Sequence, residues 1–99
     1  MVTHIVSWSF ADGFSPEENR EHVLKIKEGL ERLPGIIDGI VELKVHVDVL
    51  SSSNRDAVLY SVFRDEESLK AYRVHPEHKK VSEYVHTVMK DRVCLDYTI

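Results

Sequence analysis

Apolar residues recur at every second position in several segments of the chain, which is the spacing of a β-strand with one buried face. These segments are residues 2–10, 41–49, 57–63 and 92–98. The alternation is clearest in 41–49, where valine and leucine alternate with charged or histidine side chains. The segment 57–63 is also rich in residues of high β-propensity. The pattern therefore predicts four strands.

Two other segments carry apolar residues at intervals of three and four, which predicts amphipathic helices. The first helix begins at Ser15, which forms a capping-box pattern with Glu18 around Pro16. Its apolar positions continue to Leu33, and Pro34 then ends the helix. This helix connects the first two predicted strands.

The second predicted helix is interrupted by a proline. It begins at the acidic residues 65–67, which favour the positive end of a helix dipole, and Leu69 and Tyr72 form its apolar side. Pro76 disfavours the α conformation at His75. We therefore expect a break at this point, after which the helix resumes.

The resulting element order, β-α-β-β-α-β, predicts an α+β, ferredoxin-like fold. Such a fold has an antiparallel four-stranded sheet with both helices on one face, and its first strand lies beside the third and fourth. The other sheet face then has no cover within the chain. Because a chain of 99 residues buries a limited fraction of its surface, we expect a homodimer to cover this face. We expect residues 1–99 to form a single domain.

The charge, the apolar runs and the cysteine content of the chain disfavour several classes of function. The 13 Lys and Arg and 17 Asp and Glu residues are interspersed and give a formal net charge of −4, which disfavours nucleic-acid binding. No apolar run approaches the ~20 residues of a membrane helix, and no secretory signal is visible, so we expect a cytoplasmic protein that does not bind membranes. The single cysteine, Cys94, lies within a strand pattern, and we expect it to be buried and apolar rather than nucleophilic.

The strongest chemical signal surrounds the predicted helix break, where Tyr72, His75 and His78 lie within one short segment. A histidine with a pKa near neutrality exchanges protons at physiological pH, and a tyrosine hydroxyl can bind a carbonyl oxygen. The alternative is structural: the histidines cap helix ends, and the tyrosine fills the core with its hydroxyl at the rim.

His4 lies on the apolar face of the first strand. If the first and fourth strands pair antiparallel so that residue numbers sum to about 100, Asp96 lies opposite His4. Such a pair would fix the tautomer of the histidine and raise its pKa, or it would be purely structural. Even together with His75 and His78, His4 gives too few ligands to predict a metal site. No cofactor motif is present, so we expect neither a metal nor a cofactor.

Three segments together resemble the stress-responsive α/β-barrel (Dabb) domain family. They are Val2–Val6, Ala71–His78 and Arg92–Tyr97, in the order and at the spacing of that family. The resemblance extends through essentially the whole chain. It implies a dimeric, ferredoxin-like α+β barrel in which two sheets pack face to face.

The resemblance also implies roles for individual residues. A distantly similar plant member of the family, olivetolic acid cyclase, closes a linear polyketide by aldol condensation without a cofactor. Its catalytic Tyr and His correspond to Tyr72 and His78, and a histidine that lines its pocket corresponds to His4. Together with the apolar face of the first strand, this predicts a pocket for a small hydrophobic or phenolic ligand. The expected pocket residues are His4, Val6, Trp8, Tyr72 and His78.

Two functional hypotheses remain open. In the first, the chain binds a small molecule; if it is an enzyme, His78 removes a proton next to a carbonyl group and Tyr72 stabilises the resulting oxyanion. In the second, the chain is a stress-associated structural dimer without catalysis. These residues would then hold the helix break against the sheet.

Overall fold

Four strands and three α-helices make up the computed structural model, which describes all 99 residues. In chain order they are β1 (Val2–Phe10), α1 (Pro16–Glu31), β2 (Ile40–His46), β3 (Ala57–Phe63), α2 (Glu66–Val74), α3 (Pro76–Val88) and β4 (Met89–Thr98), with a short 3-10 helix over Leu33–Gly35. The predicted capping box starts α1: the backbone N–H of Glu18 donates to Ser15 Oγ at 3.1 Å. None of the α-helices has the length and apolar character needed to span a membrane.

The strands form one antiparallel sheet in the order β2-β3-β1-β4. The first strand therefore lies beside the third and fourth, as the ferredoxin-like element order predicted. Between β1 and β4, His4 faces Asp96 and Val6 faces Cys94, which is the register predicted for these strands. The fold class is confirmed.

The hydrophobic core lies between the helices and one face of the sheet. Alternate side chains of β1, including Val6 and Trp8, enter it together with Ile26 and Leu30 of α1. The opposite face of the sheet carries exposed apolar side chains. On β4, Val93 is 48% exposed, Leu95 59% and Tyr97 42%.

Two strand boundaries differ from the predictions. β2 ends at His46, whereas the alternating pattern predicted a strand that continues to Val49. The ladder between β2 and β3 ends with the pair His46 and Val58, close to the start of β3, so the residues beyond it have no strand to pair with. β4 begins at Met89 rather than at Arg92 because its first residues pair with the end of β1.

The prediction that Cys94 is buried was wrong, because this residue is exposed. It lies on β4, which is an edge strand of the sheet, and every residue of this strand after Met89 is exposed. A period of two separates the faces of a strand but does not show whether the strand is central or at an edge.

The second predicted helix is broken where the sequence indicated. α2 ends at Val74, His75 has an extended backbone with φ −67° and ψ 133°, and Pro76 begins α3. Nδ1 of His75 accepts the backbone N–H of Glu77 at 3.1 Å, so this histidine caps α3. The chain therefore continues as two helices joined at one extended residue.

α2 approaches the turn before β2 so closely that residue 39 has no room for a side chain. Gly39 has a φ of +92°, a conformation that side-chain-bearing residues rarely adopt. A Cβ at this position would lie 2.5 Å from Oγ and 2.6 Å from Cβ of Ser68 in α2. This contact fixes the helix that carries Tyr72 against the end of the sheet.

We expect Gly39→Ala to destabilise the fold more than Gly13→Ala does. Gly13 also has a positive φ, so both substitutions carry a conformational penalty of about 1–2 kcal/mol. A Cβ at residue 13 has no neighbour within 4 Å, whereas overpacking of the kind created at residue 39 costs about 1–3 kcal/mol more. Urea unfolding followed by circular dichroism measures both free energies, and equal losses would contradict the close packing of α2.

Candidate functional site

A cavity of about 230 Å³ lies between the helices and the sheet. All five residues of the predicted pocket contribute to its wall: His4, Val6, Trp8, Tyr72 and His78. Seven of the fourteen residues in the wall are hydrophobic, and they come from strands and helices that are distant in sequence. The cavity therefore combines an apolar interior with a small number of polar groups, which is typical of small-molecule sites.

Tyr72 lines this cavity and carries a buried hydroxyl. The residue lies near the end of α2, is 1% exposed and packs against Phe63 with ring centroids 4.9 Å apart. Its hydroxyl is buried and has no hydrogen-bond partner within the protein. Burial raises the pKa of Tyr72, so the hydroxyl keeps its proton at neutral pH. The wall thus contains a hydrogen-bond donor that nothing in the chain satisfies.

The helix break brings His78 next to this hydroxyl-bearing ring. Residues six positions apart on one continuous helix are separated by about 9 Å along its axis. Here the ring centroids of Tyr72 and His78 are only 4.1 Å apart. The side chains of Tyr72 and His78 therefore lie close together across the helix break.

The tautomer and protonation state of His78 allow it to act as a neutral base. Its Nδ1 lies 3.3 Å from the carbonyl oxygen of Arg73, and because a carbonyl only accepts, Nδ1 carries the hydrogen and Nε2 keeps its lone pair. Burial lowers the pKa of His78 and outweighs the hydrogen bond to Arg73, which acts in the opposite direction. The imidazole is therefore uncharged at neutral pH and can accept a proton.

His4 forms the predicted pair with Asp96. Nδ1 of the buried His4 donates to one carboxylate oxygen, and the guanidinium of Arg73 donates to the other. As predicted, the hydrogen bond and the charge of Asp96 act to raise the pKa of His4, but burial outweighs them and the pKa is lowered overall. Burial also opposes ionisation of Asp96, but His4 and Arg73 together hold the pKa of this carboxyl below its usual value.

Part of the wall comes from residues of α3 and β4 that were not among the predicted pocket residues. On α3, Ser82, Val85 and His86 follow His78 at intervals of four, seven and eight residues, which is the spacing of one helix face. That spacing is visible in the sequence and would have found these three residues. The predicted pairing of β1 with β4 would also have placed Arg92 on this face, whereas Lys90 and Asp91 lie at an irregularity in the strand ladder that the sequence did not show.

One group of side chains has donor atoms close enough to share a metal ion. Donor atoms of His4, Cys94 and Asp96 all lie within 4.8 Å of one another. The carboxylate of Asp96 already accepts from His4 and from Arg73, whose positive charge opposes a cation at the same place. This group fits a metal poorly.

A family model described as the stress responsive A/B barrel domain matches residues 2–99 of the chain. A comparison with curated protein sequences gave no match. Among solved structures, a dimeric protein of unknown function with a ferredoxin-like fold from Bacteroides fragilis is 30% identical, with a TM-score of 0.92. The alignment covers 99% of this chain and 95% of that protein.

Two further structures have the same fold at lower identity. A dimeric ferredoxin-like protein of unknown function from Thermobifida fusca is 22% identical, with a TM-score of 0.81, over 99% of this chain and 90% of that one. A hydroxynitrile lyase from Passiflora edulis is 16% identical, with a TM-score of 0.76, over 99% of this chain and 92% of that one. Because the family model extends over nearly the whole sequence, the chain belongs to the stress-responsive A/B barrel domain (Dabb) family.

Proposed function

We propose that this protein is a single-domain homodimer that binds a small carbonyl compound and catalyses proton transfer at the carbon next to the carbonyl group, without a cofactor. The observation that carries the proposal is the buried Tyr72 hydroxyl, which has no partner in the protein and lies beside the neutral imidazole of His78. A buried donor without a partner destabilises a fold by about 1–3 kcal/mol. A purely structural role does not require this group, since phenylalanine would fill the same space.

In the proposed reaction, Nε2 of His78 removes a proton from the α-carbon, and the C–H electron pair forms an enolate. The carbonyl oxygen becomes negative and accepts a hydrogen bond from the Tyr72 hydroxyl. His78 then returns the proton to carbon. Alternatively, as in a polyketide cyclase, the enolate carbon attacks a second carbonyl of the same molecule, and protonated His78 supplies the proton for the new alkoxide.

The volume of the cavity limits the size of the ligand. A buried apolar cavity of about 150 Å³ holds benzene, whereas sites for drug-sized molecules begin at about 300 Å³. At about 230 Å³, the cavity suits a compound with a single ring. This agrees with the small hydrophobic or phenolic ligand expected from the sequence.

The apolar sheet face supports the homodimer. Val93, Leu95 and Tyr97 expose apolar surface on the side of the sheet that no helix covers. The Bacteroides fragilis and Thermobifida fusca structures are both described as dimeric. A second copy of the same face would remove these side chains from water, which is favourable in proportion to the apolar area buried.

We expect the wild-type protein to accelerate deuterium exchange at the carbons next to the carbonyl group of phenylacetone, a one-ring ketone, as measured by proton NMR. His78→Ala should lower the rate about 100-fold or more, because a positioned general base contributes that much. Tyr72→Phe should lower it about 100-fold through loss of the oxyanion donor. His22→Ala, which changes a histidine of α1 outside the cavity wall, serves as the control and should leave the rate unchanged.

The same variants test the structural alternative through their thermal stability. Tyr72→Phe removes an unpaired buried hydroxyl and keeps the ring, so we expect its melting temperature to equal or exceed that of the wild type. Absence of exchange by the wild-type protein, together with a lower melting temperature for Tyr72→Phe, would support the structural dimer and overturn the proposed catalysis.

The exchange rate should fall as the pH is lowered, because a protonated His78 cannot accept a proton. Burial lowers the pKa of His78, so the midpoint is expected below the free value of about 6.5 and the rate should be constant above neutrality. The positive charges of Arg73 and Arg92 and the adjacent His4 act in the same direction. Circular dichroism at each pH confirms that the protein is folded, and a midpoint above the free value would contradict this assignment.

Light scattering should give the wild-type protein about twice the mass of one chain. We expect Leu95→Glu to be monomeric, because it places a charge in the apolar sheet face. Leu24→Glu is the matched control: Leu24 is 43% exposed on α1, away from this face, and its substitution should leave the dimer intact. A monomeric wild type would refute the dimer, and a dimeric Leu95→Glu would place the interface elsewhere.

A further inference from the structure

A β-bulge shapes the mouth of the cavity. The ladder between β1 and β4 pairs Ser7 with Val93 but Ser9 with Lys90, so that Trp8 alone faces two residues, Asp91 and Arg92. Asp91 has a φ of +54°, which is uncommon for a residue with a side chain. Bulges of this kind redirect side chains and are frequent beside functional sites.

The bulge lets four consecutive residues, Met89 to Arg92, contribute to the cavity wall. In a regular strand, alternate side chains would point away to the other face. Arg92 lies two residues before Cys94, on the face of β4 that lies opposite Val6 and His4, so the strand alternation directs it to the cavity side, whereas the bulge adds its neighbours to the wall.

The guanidinium of Arg92 is uncommitted. It makes no ion pair and no side-chain hydrogen bond within the protein. The other cation in the wall, Lys90, is paired with Asp12 at 2.8 Å. The only acid in the wall is Asp91, whose charge acts on Lys90. With its histidines neutral, the wall has one net positive charge and one cation free to bind a ligand.

The charge of Arg92 also reaches the reacting groups. Burial dominates the pKa of Tyr72, of His4 and of His78, but the positive charge of Arg92 acts on all three. The guanidinium thus lies within electrostatic range of the donor and the base. An anion held by Arg92 would place the rest of a small molecule beside them.

We propose that Arg92 selects the substrate: the cavity takes a small keto acid with one ring, whose carboxylate is bound by this guanidinium. The fork of N–H groups in arginine matches a carboxylate in two parallel hydrogen bonds. A single net positive charge in a half-apolar wall matches a monoanion better than a phosphate group, which carries more charge. The keto oxygen of the same molecule reaches the Tyr72 hydroxyl, and the acidic C–H faces His78. This inference rests on the proposed function and names its substrate class.

Two compounds that differ in the carboxylate test the proposal. Phenylpyruvate has a ring, a CH₂ group, a keto group and a carboxylate, whereas phenylacetone has a methyl group in place of the carboxylate. The indole N–H signal of Trp8, the only tryptophan of the chain, reports binding in the cavity wall by NMR titration. We expect phenylpyruvate to bind at least about 10-fold more tightly, a preference that one charge-assisted contact supplies.

Substitutions at Arg92 should reduce the preference for phenylpyruvate without changing the affinity for phenylacetone. We expect Arg92→Gln to bring the affinity for phenylpyruvate down to that for phenylacetone, while phenylacetone binds as before. Arg92→Lys should keep part of the preference, since an ammonium group is a point charge without the planar fork. Arg64→Gln is the control, because it removes the same charge from an exposed residue that is paired with Asp38 outside the cavity wall.

Several results would overturn the proposal. They are equal affinity of the wild type for the two compounds, no binding of phenylpyruvate at millimolar concentration, or a preference that Arg92→Gln retains. Displacement of phenylpyruvate by an equal concentration of inorganic phosphate would indicate a phosphorylated ligand instead. Deuterium exchange distinguishes failure of this proposal from failure of the proposed function. If the protein catalyses exchange but shows no preference for phenylpyruvate, only the role of Arg92 is refuted. Preferential binding without exchange refutes only the catalysis.

Discussion

Pro76 has no backbone N–H, and its ring disfavours the α conformation at the preceding residue, so the second helix is kinked or broken at this point. The cavity depends on this constraint. His75 takes up the extended conformation and caps the helix that follows. Tyr72 and His78 then lie ring to ring, with centroids 4.1 Å apart. On a continuous helix the two residues would be about 9 Å apart along the axis.

Burial sets the protonation states of the groups in the cavity. It lowers the pKa of His4 and of His78 and raises that of Tyr72, so all three are neutral near pH 7. Each imidazole carries its hydrogen on Nδ1, directed towards Asp96 in one case and towards the Arg73 carbonyl in the other. Neither Nε2 atom is hydrogen-bonded within the protein, and of the three groups the Tyr72 hydroxyl is the one that is buried without a partner. Real proteins depart from full satisfaction of buried polar groups mainly at functional or strained sites.

The fold alone does not specify a reaction. A hydroxynitrile lyase from Passiflora edulis has the same fold at 16% identity, and proteins with one fold commonly carry unrelated activities. In this chain the cavity wall combines the free guanidinium of Arg92 with Tyr72 and His78, whose rings lie close together across the helix break. The family therefore fixes the architecture, while the side chains of the cavity wall set the chemistry.

The sequence by itself determined the four strands, the helices and the helix break, because each depends on periodicity, capping or proline, which act over a few residues. It also predicted that His4 faces Asp96, since antiparallel pairing of two alternating strands leaves few registers. Only the tertiary structure decided where β2 ends, that Cys94 is exposed and that Lys90 and Asp91 also line the cavity. It also decided that burial outweighs Asp96 and lowers the pKa of His4. These features depend on which strand lies at the edge of the sheet, where the pairing register shifts and how much solvent is excluded. Each of these factors is set by contacts between residues far apart in the chain.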